Sequence, residues 1–185
     1  MKAVILHGTD ATHTKNWFPW LKTELEKLGY EVWVPDLPGA KQPNVERYNK
    51  FLLGSGWDFQ DNLVIGHSAG AVEVLALLEN LPDGIKVDTA IMVAVFKGDL
   101  GWDVLKDLKD LNFDYEKIKQ KAKKFIVIHS DDDPYCPLEG AKEIASALNA
   151  EMIIMSGMKH FSKKTDPRLV KFPELLEIIK EKGKV

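Results

Sequence analysis

The sequence predicts an α/β protein with a mainly parallel sheet covered by helices on both faces. Three observations carry this. Short apolar runs of strand length recur along the chain; segments with helical spacing alternate with them; and no internal repeat or low-complexity linker interrupts the series. The 185 residues fall within the range of one domain, expected to span residues 1–185. A domain of this size buries roughly 70% of its extended surface, so it needs no disulfides or metal to hold a core.

The elements follow in order. Ala3-Val4-Ile5-Leu6 reads as a buried strand ending in the turn His7-Gly8. Trp17, Leu21, Leu25 and Leu28 then recur at helical spacing, and Gly29 punctuates their end. Tyr30 to Val34 is a second strand, stopped by Pro35, and Leu63-Val64-Ile65 is a third. Ala69 to Glu79 reads as a helix so apolar that it should lie deep against the sheet. Ala90 to Val95, Phe125 to Ile128 and Met152 to Met155 supply three more strands, with helices around Leu138 to Leu148 and Pro173 to Glu181. Gly98 to Gln120 is less regular. Its Trp102, Leu105, Leu108 and Leu111 suit either a short amphipathic helix leaning over a cleft or a plain surface excursion.

Composition narrows the function classes. The apolar share is 45% and the charged share 29%, as in a globular protein, and 28 acidic against 25 basic residues leave a net charge of -3. That balance gives no footprint for nucleic acid or an anionic bilayer. The apolar runs fall far short of the roughly 20 residues that span a membrane. No secretory signal is read at the N-terminus, and Cys136 has no second cysteine to pair with, so a cytoplasmic location is expected.

The chemistry centres on Gly66-His67-Ser68-Ala69-Gly70. A strand before and a helix after make this the nucleophile-elbow pattern of the α/β hydrolases, which presents Ser68 at a sharp turn. The bland alternative is a serine that merely caps a helix. The N–H of Ala69 is expected to form one side of an oxyanion hole. The loop His7-Gly8-Thr9-Asp10 is placed to supply the other, with the N–H of Thr9 preferred over Gly8 or Asp10. Among five histidines, His160 is favoured as the base, because its loop leaves the C-terminal end of the last strand. His67, inside the elbow, suits a structural contact. Asp131-Asp132-Asp133-Pro134 follows the fifth strand and gives the order nucleophile, acid, base. Asp133 is preferred because Pro134 and Pro137 stiffen its loop, and Asp132 suits a capping or anchoring role.

Competing chemistries are weaker. His129 beside the acidic run suggests a metal, yet calcium-loop spacing and a paired-histidine motif are both missing, so no metal is expected. Cys136 has neither an elbow nor an obvious base. A phosphate- or flavin-binding domain would want a Walker lysine or Gly-x-Gly-x-x-Gly, neither of which is present, and no cofactor is expected. Trp17, Trp20, Trp57, Phe96 and Trp102 are candidates for either the acyl pocket or the core.

With His7-Gly8, Asn16-Trp17-Phe18-Pro19-Trp20-Leu21, the elbow, Asp132-Asp133-Pro134-Tyr135-Cys136-Pro137 and His160-Phe161, the chain resembles the small serine hydrolases related to retinoblastoma-binding protein 9 and bacterial YdeN. The resemblance covers nearly the whole chain. It implies a compact α/β-hydrolase fold of six strands in the order 2-1-3-4-5-6 without a large cap domain. It also implies Ser68 as nucleophile, Asp133 as acid and His160 as base. Two positions depart from the family pattern: Lys159 stands where a glycine commonly precedes the histidine, and Cys136 replaces a more usual aliphatic residue. The expected substrate is a small acyl ester or thioester. The alternative is an inactive hydrolase fold serving as a binding module, for which no linear signal marks a protein partner.

Overall fold

A computed structural model of the protein describes residues 1–182. Its elements are β1 (Lys2–Leu6), α1 (Phe18–Lys27), β2 (Glu31–Trp33), α2 (Val45–Leu53), β3 (Leu63–His67), α3 (Ala69–Asn80) and β4 (Val87–Val93). There follow a 3₁₀ helix (Asp103–Leu108), α4 (Tyr115–Lys119), β5 (Ala122–Ser130), α5 (Leu138–Leu148), β6 (Glu151–Met155) and α6 (Pro173–Lys182). The six strands form one sheet in the order β2-β1-β3-β4-β5-β6, and every neighbouring pair is parallel.

Strand alternation divides the core into two layers. Val4, Leu6, Val64, Met92 and Val127 face one side, packed with Leu52 of α2, Leu75 of α3, Ile118 of α4 and Ile144 of α5. Ala3, Ile5, Ile65, Ile91 and Ile128 face the other, against Leu21 and Leu25 of α1 and Leu175 and Ile179 of α6. Both faces are therefore covered, as near-continuous apolar strands require.

The boundaries differ from the apolar pattern where polar residues join an element. β5 begins at Ala122, because Lys123 and Lys124 extend the strand with exposed side chains. β4 runs from Val87 to Val93 and stops where Ala94 turns to a φ of 54°. Apolar periodicity does not announce α2, which buries only Tyr48 and Leu52. It is fixed at its start by Asn44, whose side chain accepts the N–H of Arg47 at 2.9 Å, while the Arg47 guanidinium donates to the carbonyls of Pro38, Gly39 and Gln42. In the irregular segment, Leu105 and Leu108 of the 3₁₀ helix turn into the core while Trp102 and Val104 stay exposed.

Helix α3 is buried from Ala69 to Leu78, including Glu73. Neither carboxyl oxygen of Glu73 has a hydrogen-bond partner among the described residues, and burial raises its pKa well above the ordinary 4.5. Folded Glu73 thus keeps its proton where the unfolded chain releases it. Stability is full below the ordinary carboxyl value and is lost as pH rises toward the raised one, at up to about 1.4 kcal/mol per pH unit. Thermal unfolding between acidic and mildly alkaline pH is expected to show a flatter slope and a higher alkaline Tm in Glu73→Gln. Equal slopes in the two proteins would remove this assignment.

Candidate active site

Leu63-Val64-Ile65 hydrogen-bonds between β1 and β4 and delivers the chain to Ser68 at the C-terminal edge of the sheet. Ser68 has φ 56° and ψ -123°, a strained conformation for a residue with a side chain, and its N–H is held by the carbonyl of Val93 at 2.9 Å. The flanking glycines are needed for space: neither has a positive φ. A Cβ on Gly66 would stand 2.3 Å from the carbonyl oxygen of Gly70, and one on Gly70 would stand 2.3 Å from that of Leu6. The elbow forms because helix, turn and neighbouring strand approach more closely than any side chain permits.

Ser68 Oγ lies 3.1 Å from His160 Nε2, and His160 Nδ1 lies 2.8 Å from Asp133 Oδ2. A serine hydroxyl, an imidazole and a carboxylate are thus joined in series. The Oδ1 of Asp133 accepts the N–H groups of Tyr135 and Cys136 at 2.8 and 3.0 Å. Burial works to raise the Asp133 pKa, but the hydrogen bond and charge of His160 and these two N–H groups outweigh it, leaving the carboxyl below its ordinary value. The ring of Tyr135 packs edge-on against His160 with centroids 5.0 Å apart.

The three consecutive aspartates hold three successive parts of the loop after β6. Asp131 accepts the Ser156 hydroxyl at 2.6 Å and the N–H of Gly157 at 3.3 Å. Asp132 is paired with Lys159 Nζ at 2.6 Å and accepts the Ser130 hydroxyl at 2.6 Å and the N–H of Lys159 at 2.9 Å, which together lower its pKa to about 2. Asp133 alone reaches His160. The same contacts account for the glycine replaced by Lys159. Its φ is 51°, where glycine is favoured, and Asp132 holds both its backbone and its side chain in that conformation.

The other histidines have structural work. His7 donates through Nδ1 to the carbonyl of Gly8 and accepts the N–H of Leu37 on Nε2, each at 2.9 Å, which pins the first loop. Nε2–H of His67 donates to the carbonyl of His160 at 2.8 Å. Burial and the neighbouring His160 lower the His67 pKa to about 3, so the ring is neutral and its Nδ1, without a partner among the described residues, carries no proton. The hydrophobic pattern gives no sign of either bond. A histidine at the end of a buried strand is the only hint that sequence offers.

The first loop lies against Ser68. A Cβ on Gly8 would stand 2.9 Å from Ser68 Cβ and 3.4 Å from its Oγ. Asp10 donates its N–H to the carbonyl of Ala40 at 2.8 Å, which takes it out of contention as an oxyanion donor; Gly8 and Thr9 line the cavity beside Ser68. Ala69 opens α3, where the first N–H groups lack intrahelical acceptors. The cavity has a volume of about 770 Å³. Phe96 and Trp102 line it. Trp17, Trp20 and Trp57 do not: Trp17 is in the core, donating to the carbonyl of Phe161 at 3.0 Å, Trp20 packs against that core, and Trp57 stacks on Trp33.

Asp133, Cys136 and His160 have potential ligand atoms within 4.8 Å of one another. The set suits a relay better than an ion, since burial pushes the Cys136 thiol far up and both Asp133 oxygens already accept hydrogen bonds. The raised thiol pKa also makes Cys136 a poor nucleophile.

A family model described as serine hydrolase matches residues 3–180. The chain belongs to the serine hydrolase family. This serine hydrolase is 30% identical over 159 residues to the hydrolase YdeN of Bacillus subtilis (strain 168), covering 85% of this chain and 84% of that protein. It is 26% identical to the serine hydrolase RBBP9 of Rattus norvegicus, with 97% and 94% covered. The crystal structure of the B. subtilis ydeN gene product superposes with a TM-score of 0.90 at 27% identity, covering 97% of both chains. A carboxylesterase structure from the ammonia-oxidizing thaumarchaeon Nitrososphaera gargenis shares the fold alone, at 15% identity and a TM-score of 0.75 over 97% of this chain and 88% of that one. Among the described residues no helix is long and apolar enough to cross a membrane.

Proposed function

We propose that this serine hydrolase cleaves small carboxylic esters or thioesters through an acyl-enzyme on Ser68, with His160 carrying the proton and Asp133 orienting His160. The observation that carries the reading is the unbroken path from Ser68 Oγ through His160 to Asp133, with steps of 3.1 and 2.8 Å. His160 Nε2 takes the Ser68 proton as Oγ attacks the carbonyl carbon. The negative charge on the carbonyl oxygen is met by the N–H groups of Ala69 and Thr9. Asp133 stabilises the imidazolium, which protonates the leaving oxygen or sulfur as its bond to the acyl carbon breaks. Water, deprotonated by the same imidazole, then releases the acid and restores Ser68.

A fluorophosphonate probe tests the nucleophile directly. The parent protein is expected to take up one phosphonyl group, mapped by peptide mass spectrometry to Ser68, and to hydrolyse members of a short-chain ester and thioester panel. An adduct on another residue, or an unlabelled protein inert across the panel, would overturn the proposal.

A further inference from the structure

The cavity is charged asymmetrically. Lys15, Lys163 and Lys164 line it together with a single acidic residue, Asp10, whereas the whole chain has a net charge of -3. Some lysines elsewhere on the surface pair with carboxylates, as Lys22 does with Glu26, Lys97 with Glu143 and Lys180 with Glu177. The three cavity lysines are exposed and have no carboxylate partner among the described residues. Lys164 Nζ sits 5.5 Å over the ring of Tyr135, the residue packed on His160.

Two long-range hydrogen bonds bring these lysines together. Asn16 accepts the N–H of Lys163 on Oδ1 at 3.0 Å, and Trp17 donates from Nε1 to the carbonyl of Phe161 at 3.0 Å. The turn before α1 and the loop after His160 are thereby clamped, so Lys15 and the Lys163-Lys164 pair share one mouth. The same mouth has an apolar rim: Trp102, Val104 and Val170 are each more than two-fifths exposed and line the cavity. Such a combination suits a ligand with an apolar portion and a negative end, since a local positive field in a partly enclosed cleft gathers anions even when the protein as a whole repels them.

Resting on the hydrolase reading above, we propose that the preferred substrates are amphipathic esters carrying an anionic group, carboxylate or phosphate, that Lys15, Lys163 and Lys164 bind while Trp102, Val104 and Val170 take the apolar portion. The test compares matched esters at low ionic strength. With the charge on the leaving group, para-butanoyloxybenzoate and para-butanoyloxyphenyl phosphate are set against methyl para-butanoyloxybenzoate. With the charge on the acyl group, the para-nitrophenyl monoester of adipic acid is set against para-nitrophenyl hexanoate. In at least one set, kcat/KM for the anionic ester is expected to exceed that of its neutral partner about tenfold, three weak exposed ion pairs together supplying that much. The ratio should fall toward one with added salt and in a Lys15→Gln, Lys163→Gln, Lys164→Gln variant. Comparing the carboxylate with the phosphate ester identifies the preferred anion. Binding of the same esters to Ser68→Ala, followed by isothermal titration calorimetry, separates recognition from chemistry. Tighter, lysine-dependent binding of the anionic ester supports the proposal even if the parent hydrolyses none of the esters, which would overturn only the hydrolase reading. Turnover or binding with no preference for the anion, or a preference that survives the triple substitution, overturns the anion site.

Discussion

Ser68→Ala is expected to lower ester turnover about a million-fold, and His160→Ala to a similar degree, while the double variant should lose no more than either alone. In the proposed mechanism the two groups share one proton, so removing either leaves the other without a task. The residual rate is expected to come from the oxyanion donors and from substrate binding. Alanine adds no bulk at the buried Ser68 position, and circular dichroism should report a native fold. Steady-state kinetics on a short-chain para-nitrophenyl ester provides the measurement. Additive losses would show that Ser68 and His160 act separately, and more than about one percent of parental activity in Ser68→Ala would remove Ser68 as the nucleophile.

Asp133→Asn is expected to lower kcat about ten-thousand-fold, because an amide facing Nδ1 would favour the imidazole tautomer whose Nε2 already carries a proton. Asp132→Asn should stay within about tenfold, for it loses an exposed ion pair to Lys159 but keeps an oxygen for the Lys159 N–H and the Ser130 hydroxyl. Parallel kinetics on the two folded variants decides between neighbouring carboxylates. A severe loss in Asp132→Asn with near-parental turnover in Asp133→Asn would reverse their roles.

Legibility followed the physical signal in each segment. β1, β3 and α3 could be read because burial leaves nearly uninterrupted apolar runs with turn residues at their ends, and α5 because its buried Ala141, Ile144, Ala145 and Leu148 recur at helical spacing. The helix α2 could not, since its stability rests on a cap and on Arg47 bonds to carbonyls several residues upstream, which periodicity does not record. Ser68 was legible through Gly66 and Gly70, whose small size is itself the signal. The division of labour among Asp131, Asp132 and Asp133 was legible in part: Pro134 and Pro137 pointed to Asp133 and left Asp132 an anchoring role, but which part of a loop some 25 residues later each carboxylate meets is not written in three identical side chains. The Trp residues show the same limit. Trp17 and Trp102 look alike in sequence, yet one is sealed beneath Phe161 and the other stands at the cavity mouth.

The bond from His67 to the carbonyl of His160 bears on timing. In the proposed cycle, an acylated Ser68 Oγ has no hydrogen to donate, and the hydroxyl contact that joined it to the imidazole is lost. The His67 bond uses neither that oxygen nor a titrating proton, since its ring stays neutral well into the acidic range. It moors the backbone of His160 to the strand that bears Ser68. In that cycle the waiting imidazole would keep its station between the two halves, ready for the incoming water without having to be gathered again.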